Sequence, residues 1–346
     1  MLKACFFSSK SEGVNLYKYN IMDKISFELK SNNLLLSQIK SYITSAPLRR
    51  IKRTGSIGLS YNTIRNLQRF YVLIKEFETK LSRPIYLSEI EHSVVSKFQE
   101  WLLSSKMYSV NSAGLQLKLL KMVCKEAERK GIAVNVYARQ IESFTQRSKD
   151  RILQTLSFEE IGSIKNLNDL PESLENARRW MLIGLFIGQR VSDLLVLKPH
   201  QVRNAENGMY VDILQQKTEK HVTVGVVDPV VIDILQNHFP YQISQQLFNK
   251  QIKLVCELAV INNMVKSYRV CQKTKRKKLG VHPKYSVLSS HDLRRSFATN
   301  YFGKIATPIL MHITGHSKET TFLTYIGGQA NKDAYADAFI RLASTL

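Results

Sequence analysis

The stretch from Ser290 to Ile326 reads SHDLRRSFATNYFGKIATPILMHITGHSKETTFLTYI, and its polar residues are of types that handle phosphate. His291 and Arg294 are three apart, so on a helix they share a face and can reach one anion. His316 follows in Gly315-His316-Ser317-Lys318-Glu319, and Tyr325, nine residues later, closes a short predicted helix. Arginine keeps its charge at any working pH and offers a planar fork that matches two phosphate oxygens. Histidine passes protons near neutrality. A phenol attacks phosphorus well only when a neighbour takes its proton or nearby cations lower its pKa, and here the neighbours are cations. No acidic cluster accompanies them, so the set suits phosphoryl transfer without a metal ion. A lone His-x-x-Arg or a helix-closing tyrosine is usually an ordinary structural feature; in this order and spacing they point to a shared site.

Two upstream segments must deliver partners to that site. In Gly184-Leu185-Phe186-Ile187-Gly188-Gln189-Arg190-Val191-Ser192-Asp193, an arginine follows an apolar helix and a carboxylate comes three residues later. Lys217 stands just past a strand-like run, Met209 to Leu214, with a second run, His221 to Val227, close behind. That pattern is a β-hairpin with a lysine at its tip.

With Arg190, Lys217, His291, Arg294, His316 and Tyr325 in this order, the chain resembles the tyrosine recombinase (phage integrase) family, through the boxes GQRVSDL, QQKT, HDLRRSFAT and TGHSKETTFLTY. The resemblance covers Leu156 to Leu346 through motifs and Gly58 to about Lys130 through helical pattern. It implies a helical SAM-like core-binding domain followed by a tyrosine recombinase catalytic domain. It further implies Arg190 and Arg294 as phosphate clamps, His291 and His316 as phosphate and proton-handling ligands, Lys217 as general acid and Tyr325 as nucleophile, with Asp193 supporting the site from behind. Gln189 departs from the family's usual bulky apolar residue, a difference expected to touch packing more than chemistry. Gly327 and Gly328 stand where many members have a histidine, and the first fifty residues do not resemble an arm-type DNA-binding domain.

The whole chain agrees with a DNA partner. Its 346 residues suffice for two cores, and 50 basic against 28 acidic residues leave a net charge of +22, which points to a polyanion. No apolar run is long enough to span a membrane and Met1 to Asn20 lacks a secretion signal, so a cytoplasmic, nucleoid-associated location is expected. Cys5, Cys124, Cys256 and Cys271 lack metal or redox spacing and read as reduced and structural. His312 and His316 are four apart, but Gly315 intervenes and no third ligand is near; neither a metal nor a cofactor is expected. No Gly-rich phosphate loop implies ATP.

The predicted organisation is mainly α with small antiparallel β-hairpins, an α+β chain. Residues 1–54 form an N-terminal segment and basic linker, with a possible strand at Ile25 to Leu29, an apolar helix from Asn33 to Ile43, and a Leu48 to Arg53 stretch that is either a solvated link or a strap on DNA. Residues 55–133 form the helical DNA-binding domain: a helix carrying Tyr61, Ile64, Leu67, Tyr71, Ile74 and Phe77, a second opened by a Ser88/Glu91 capping box, and a third, opened by Ser109, from Leu115 to Lys130 and closed by Gly131. Arg65, Arg69, Lys118, Lys121 and Lys125 are placed on its outward faces. Residues 134–155 are the linker and 156–346 the catalytic domain, which starts at a Ser157/Glu160 capping box. Within it, Lys275-Arg276-Lys277-Lys278 reads as the tip of a second hairpin between Ser267–Gln272 and Tyr285–Leu288. A last helix from Asn331 to Leu346 carries Tyr335, Ala338, Phe339 and Leu342 on one stripe.

The function implied is that of an integrase or invertase of a mobile element, which cuts and rejoins double-stranded DNA through a 3′-phosphotyrosyl link. The family's last helix often docks on a neighbouring protomer, which implies a homo-tetramer on paired sites, with accessory DNA-bending proteins as further partners. The rivals are a type IB topoisomerase, whose second-arginine box usually has lysine where His291 stands, and a non-catalytic DNA-binding regulator of the same fold.

Overall fold

Apolar residues recurring every three to four positions make the first unit helical. The computed structural model describes residues 33–51, 55–146, 152–274, 276–326 and 332–344, and these fall into two units, Met1–Gln146 and Arg147–Leu346. The possible strand at Ile25 to Leu29 lies outside the described residues. In the first unit, α1 (Leu35–Thr44) buries Leu35 and Ile39. Helix α2 (Tyr61–Leu81) opens at Ser60, whose hydroxyl accepts the Thr63 N–H, and buries Leu67, Phe70, Leu73, Ile74 and Phe77. Tyr61, expected on that stripe, is 76% exposed, because the first helical turn precedes the face that meets the core. Helix α3 (His92–Glu100) runs into a π-turn at Trp101–Ser105. The Ser88/Glu91 capping box does not form: Leu87–Glu89 make a 3₁₀ turn instead, and Glu91 precedes the helix without a side-chain cap. Helix α4 (Val110–Arg129) opens at Ser109 as the sequence predicts, its hydroxyl accepting the Ser112 N–H, and its first turn precedes Leu115.

Two expectations for this unit are corrected by what the side chains touch, and a third is narrowed. Part of the expected 134–155 linker is core: Val136–Arg139 form a 3₁₀ turn, and Ala138 and Ile141 are buried with Leu117, Leu120 and Phe98. Its few apolar residues are spaced for a turn rather than a helix, which hides them from a periodicity test. Of the Leu48 to Arg53 stretch, Arg49 alone is shown to be packed, its guanidinium 3.5 Å over the Tyr42 ring and its Nη2 donating to Glu126 Oε1 at 3.0 Å; Arg50 is exposed, and Lys52 and Arg53 lie outside the described residues. Lys121 does not face outward: its Nζ donates to the Ile141 carbonyl at 2.8 Å.

The second unit starts from α5 (Phe158–Lys165), capped reciprocally by Ser157 and Glu160 as the sequence predicts. Helix α6 (Glu172–Ile187) is its buried axis, with Trp180, Met181, Leu182 and Ile183 fully enclosed. Gly188 ends α6 at φ +63°, and a Cβ there would lie 2.3 Å from the Phe297 ring, so glycine lets two helices close up beside the next residues. The short α7 (Val191–Leu194) leads to an antiparallel meander, β1 (Val202–Ala205), β2 (Gly208–Gln215) and β3 (Lys220–Val226). Along β2 the residues Met209, Val211, Ile213 and Gln215 face inward and meet Val222, Val224 and Val226 of β3 on the core side.

Helices α8 (Pro229–Asn237) and α9 (Gln245–Leu258) complete the core around α6. The second hairpin pairs β4 (Met264–Val270) with β5 (Lys277–Pro283), so the Lys277-Lys278 pair lies on a strand. Tyr285 to Val287, expected in its second strand, belong to the short α10 (Lys284–Val287), since Pro283 ends the pairing. Then come α11 (Ser290–Tyr301), α12 (Thr307–Thr314), α13 (Glu319–Tyr325) and α14 (Lys332–Ala343). A small separate cluster of Phe297, Ala298, Leu310 and Phe322 joins α11, α12 and α13. On α14, Phe339 of the expected stripe is 73% exposed, and the side chains of Tyr335, Ala338 and Leu342 lie outside the described residues. Among the described residues no helix is long and apolar enough to cross a membrane.

Candidate active site

The six residues singled out in the sequence line one pocket: Arg190, Lys217, His291, Arg294, His316 and Tyr325, joined by Thr218 and Ser317. Each arrives by a local device. Arg190 follows the αL glycine that ends α6 and caps α7. Lys217 is the second residue of the turn between paired Gln215 and Lys220. His291 and Arg294 sit on the first turns of α11, which begins with Asp292 accepting the Ser289 N–H at 2.8 Å and the Ser289 hydroxyl at 2.7 Å. His316 follows Gly315, the φ +63° end of α12. Tyr325 is one turn beyond Phe322 on α13, and burying that phenylalanine contributes roughly 1.5–3 kcal/mol toward holding the helix in place.

Arg294 is only 2% exposed. Its Nη1 donates to the Gly188 carbonyl at 3.0 Å, its Nη2 donates to the Thr314 carbonyl, and its guanidinium carbon lies 5.8 Å from the Tyr325 ring centre. The main-chain ends of α6 and α12 therefore fix this cation. Burial pushes its pKa down to about 10, which leaves it charged at neutral pH. The His291 and His316 rings lie 5.2 Å and 5.0 Å from that of Tyr325, and the phenol hydroxyl donates to the His291 carbonyl at 3.4 Å.

Burial first, and then the surrounding arginines, push both His291 and His316 down to about 4, so both imidazoles are neutral at neutral pH. The Thr314 hydroxyl settles the His316 tautomer: it donates to the Leu310 carbonyl at 2.5 Å, so it must accept from Nδ1 at 2.8 Å. The other ring nitrogen, Nε2, is then the unprotonated one. Tyr325 departs from the sequence expectation. Burial raises its pKa, and the charges of Arg294 and Arg295 pull downward without reversing the shift, so the phenol is protonated until something takes its proton.

Asp193 is buried beneath the pocket, its Oδ1 accepting the Gln216 N–H at 3.1 Å and its Oδ2 lying 3.9 Å from Arg190 Nη1. Four further residues organise the site without having been singled out for it. Arg295 donates through Nε to the Tyr325 carbonyl at 3.3 Å and pairs with Asp292. Thr314 orients His316. Gln189, expected to affect packing, is a buried hydrogen-bonding residue: its Nε2 donates to the Ile187 and Ile313 carbonyls at 2.9 and 2.8 Å, and its Oε1 accepts from Gln215 Nε2 at 2.9 Å. A signal for Gln215 exists in the sequence, since strand alternation from Met209 places a polar side chain at an inward position.

Residues 34–144 match the family model described as the phage integrase SAM-like domain. No curated protein sequence matches the chain. Among solved structures, a lambda integrase dimer bound to a COC′ core site is similar at TM-score 0.61 and 16% identity, covering 89% of this chain and 82% of that one. The XerH site-specific recombinase bound to a palindromic difH substrate is similar at TM-score 0.60 and 14% identity, with 90% and 96% covered. The Tn1549 transposon integrase in complex with transposon right end DNA gives TM-score 0.58 and 15% identity, with 90% and 99% covered. The chain therefore has the tyrosine recombinase fold. More particularly, the segment that matches the SAM-like model lies within its first unit.

Proposed function

We propose that the protein is a site-specific tyrosine recombinase, an integrase or invertase of a mobile element. The observation that carries this reading is the entry of Tyr325, on its own chain, into the pocket lined by Arg190 and Arg294. The Tyr325 Oη attacks a DNA phosphorus, the bond from phosphorus to the 5′-oxygen breaks, and the protein is left joined to the 3′-phosphate. Arg190 and Arg294 neutralise the charge that develops on the non-bridging oxygens, an effect whose single donors are typically worth ~3–4 kcal/mol. His316 Nε2, unprotonated in the free protein, is the acceptor that fits the phenol proton, and His291 contacts the phosphate from the rim. Lys217, exposed on its turn, gives a proton to the departing 5′-oxygen.

The phosphotyrosyl bond keeps the energy needed for rejoining, so the reading requires neither metal nor ATP. The first unit grips duplex DNA, with Arg65 and Arg69 exposed on α2. Exposed Phe339 and Ile340 on α14 support docking of that helix on a neighbouring protomer, in a tetramer on paired sites inside the cell. The test is covalent capture of duplexes from a random-sequence library. Wild type should form a denaturant-resistant adduct and Tyr325→Phe none; no adduct from wild type under any condition that permits duplex binding refutes the reading.

A further inference from the structure

The turn that carries Lys217 is tied to the rest of the pocket chiefly through the buried side chain of Gln215, with an outer tie where Gln216 Nε2 donates to the Ser192 carbonyl at 3.3 Å. The Gln215 amide is fully buried and uses every polar atom. Nε2 donates to Gln189 Oε1 at 2.9 Å and to the Ile313 carbonyl at 3.1 Å. Oε1 accepts the Thr218 hydroxyl at 2.7 Å and an Arg190 Nη1–H at 3.5 Å. The backbone carbonyl of Gln215 accepts the Thr218 and Glu219 N–H groups at 3.2 and 2.7 Å, which folds the turn itself. Gly315 fits against this amide so closely that a Cβ there would lie 2.1 Å from Gln215 Oε1. One side chain thus meets the residue after Lys217, the first arginine, and the end of the helix that precedes His316.

We propose that Gln215, backed by Gln189, is a positioning residue that sets Lys217 for proton delivery to the leaving 5′-oxygen. The physical case rests on the cost of disorder. A four-residue turn with an exposed lysine at its tip would sample many placements, and general acid catalysis needs one of them. A buried amide with all four hydrogen bonds made is costly to displace, because each broken bond leaves a polar atom without water. The turn's geometry is inherited from the core through this amide. Asp193 adds a further tie by accepting the Gln216 N–H. This inference rests on the recombinase reading above, and the experiment separates the two.

The probe is a duplex captured covalently by wild type, made in two forms: with an ordinary scissile phosphodiester, and with sulfur replacing the bridging 5′-oxygen. In both forms the Tyr325 oxygen bonds to phosphorus. In the first the departing oxygen takes a proton from Lys217; in the second sulfur leaves as a thiolate and needs none. Gln215→Met should cut the cleavage rate of the ordinary duplex by about a hundredfold, the scale of a misplaced general acid, and that of the sulfur form at least about tenfold less, the shared part of the loss reporting the Gln215 hydrogen bond from Arg190. Lys217→Ala serves as the reference for that pattern. Equal losses on both duplexes, or no loss on either, overturn the proposal. Should Gln215→Met fail to fold, Thr218→Val, which removes the hydroxyl bonded to Gln215 Oε1, must show the same oxygen-specific loss, and its absence overturns the proposal equally. Failure of wild type to capture any duplex would instead strike the recombinase reading.

Discussion

Burial of the Tyr325 phenol raises its pKa, and the guanidinium groups of Arg294 and Arg295 pull the other way without overcoming it. The two histidines feel burial and positive charge in the same direction, and both fall to about 4. Arg190, Arg294, Arg295 and Lys217 supply that charge to His291, and Arg190 and Arg294 to His316. Their unfolded-state pKa is about 6.5, so between that value and about 4 the unfolded chain binds more protons than the folded one. The stability held above about 6.5 is therefore lost progressively as pH falls toward about 4. Urea midpoints measured across this window should fall with acidity in wild type and fall less steeply in His291→Asn/His316→Asn. Parallel curves for the two proteins would show that the rings are solvated and ordinary. The types and order of the chemical residues were legible in the sequence because each sits within a few positions of a turn or cap that fixes it. The net pKa of Tyr325 was not, because it depends on how deeply Phe322 draws α13 into the unit, a tertiary fact. Gln189 and Gln215 escaped for a related reason: 26 positions apart in sequence, they meet only when β2 lies beside the end of α6.

At the scale of elements, strong local periods were readable and weak ones were not. The Lys217 hairpin alternates cleanly, and its two strands pair from Met209 with Val226 to Gln215 with Lys220. The basic run around Lys277 was placed on the right kind of element, but its partner strand was misread because Tyr285 to Val287 look β-like until Pro283 is seen to end the pairing. The region from 134 to 144 was the largest misreading, and Gly114 shows how firmly that region is packed. A Cβ on Gly114 would lie 1.8 Å from the Phe144 carbonyl oxygen, so the segment after the 3₁₀ turn lies directly on α4. On an exposed helix Gly→Ala stabilises by ~0.5–1 kcal/mol. Here overpacking, typically ~1–3 kcal/mol, opposes it and the contact is with backbone, which cannot rotate away. Gly114→Ala should therefore lower the thermal midpoint of the protein and expose the 134–144 segment to protease. An unchanged or raised midpoint would show that this segment lies loosely on α4 and acts as a tether after all.

At the scale of the molecule, the proposed function together with a net charge of +22 on 346 residues predicts duplex binding dominated by counterion release from DNA. Sequence-independent affinity should fall linearly on a plot of log K against log salt, with a slope near −0.9 for each phosphate neutralised. A protein covering six or more phosphates loses roughly 10³-fold or more in affinity between about 50 and 200 mM salt. The exposed lysines of β5 test how widely that charge is used, because pairing places them on opposite faces of the hairpin: Lys278 opposite Arg269, Lys277 opposite Val270. A single DNA surface cannot touch both faces of a two-stranded ribbon equally. Lys277→Gln and Lys278→Gln, measured separately by fluorescence anisotropy on a random-sequence duplex, should therefore differ. One should reduce the salt slope by about 1 and weaken binding uniformly across sequences, and the other should leave the slope unchanged. Two unchanged slopes would place the hairpin away from DNA and return its lysines to the role of a solvated edge, as unpaired strand edges commonly require.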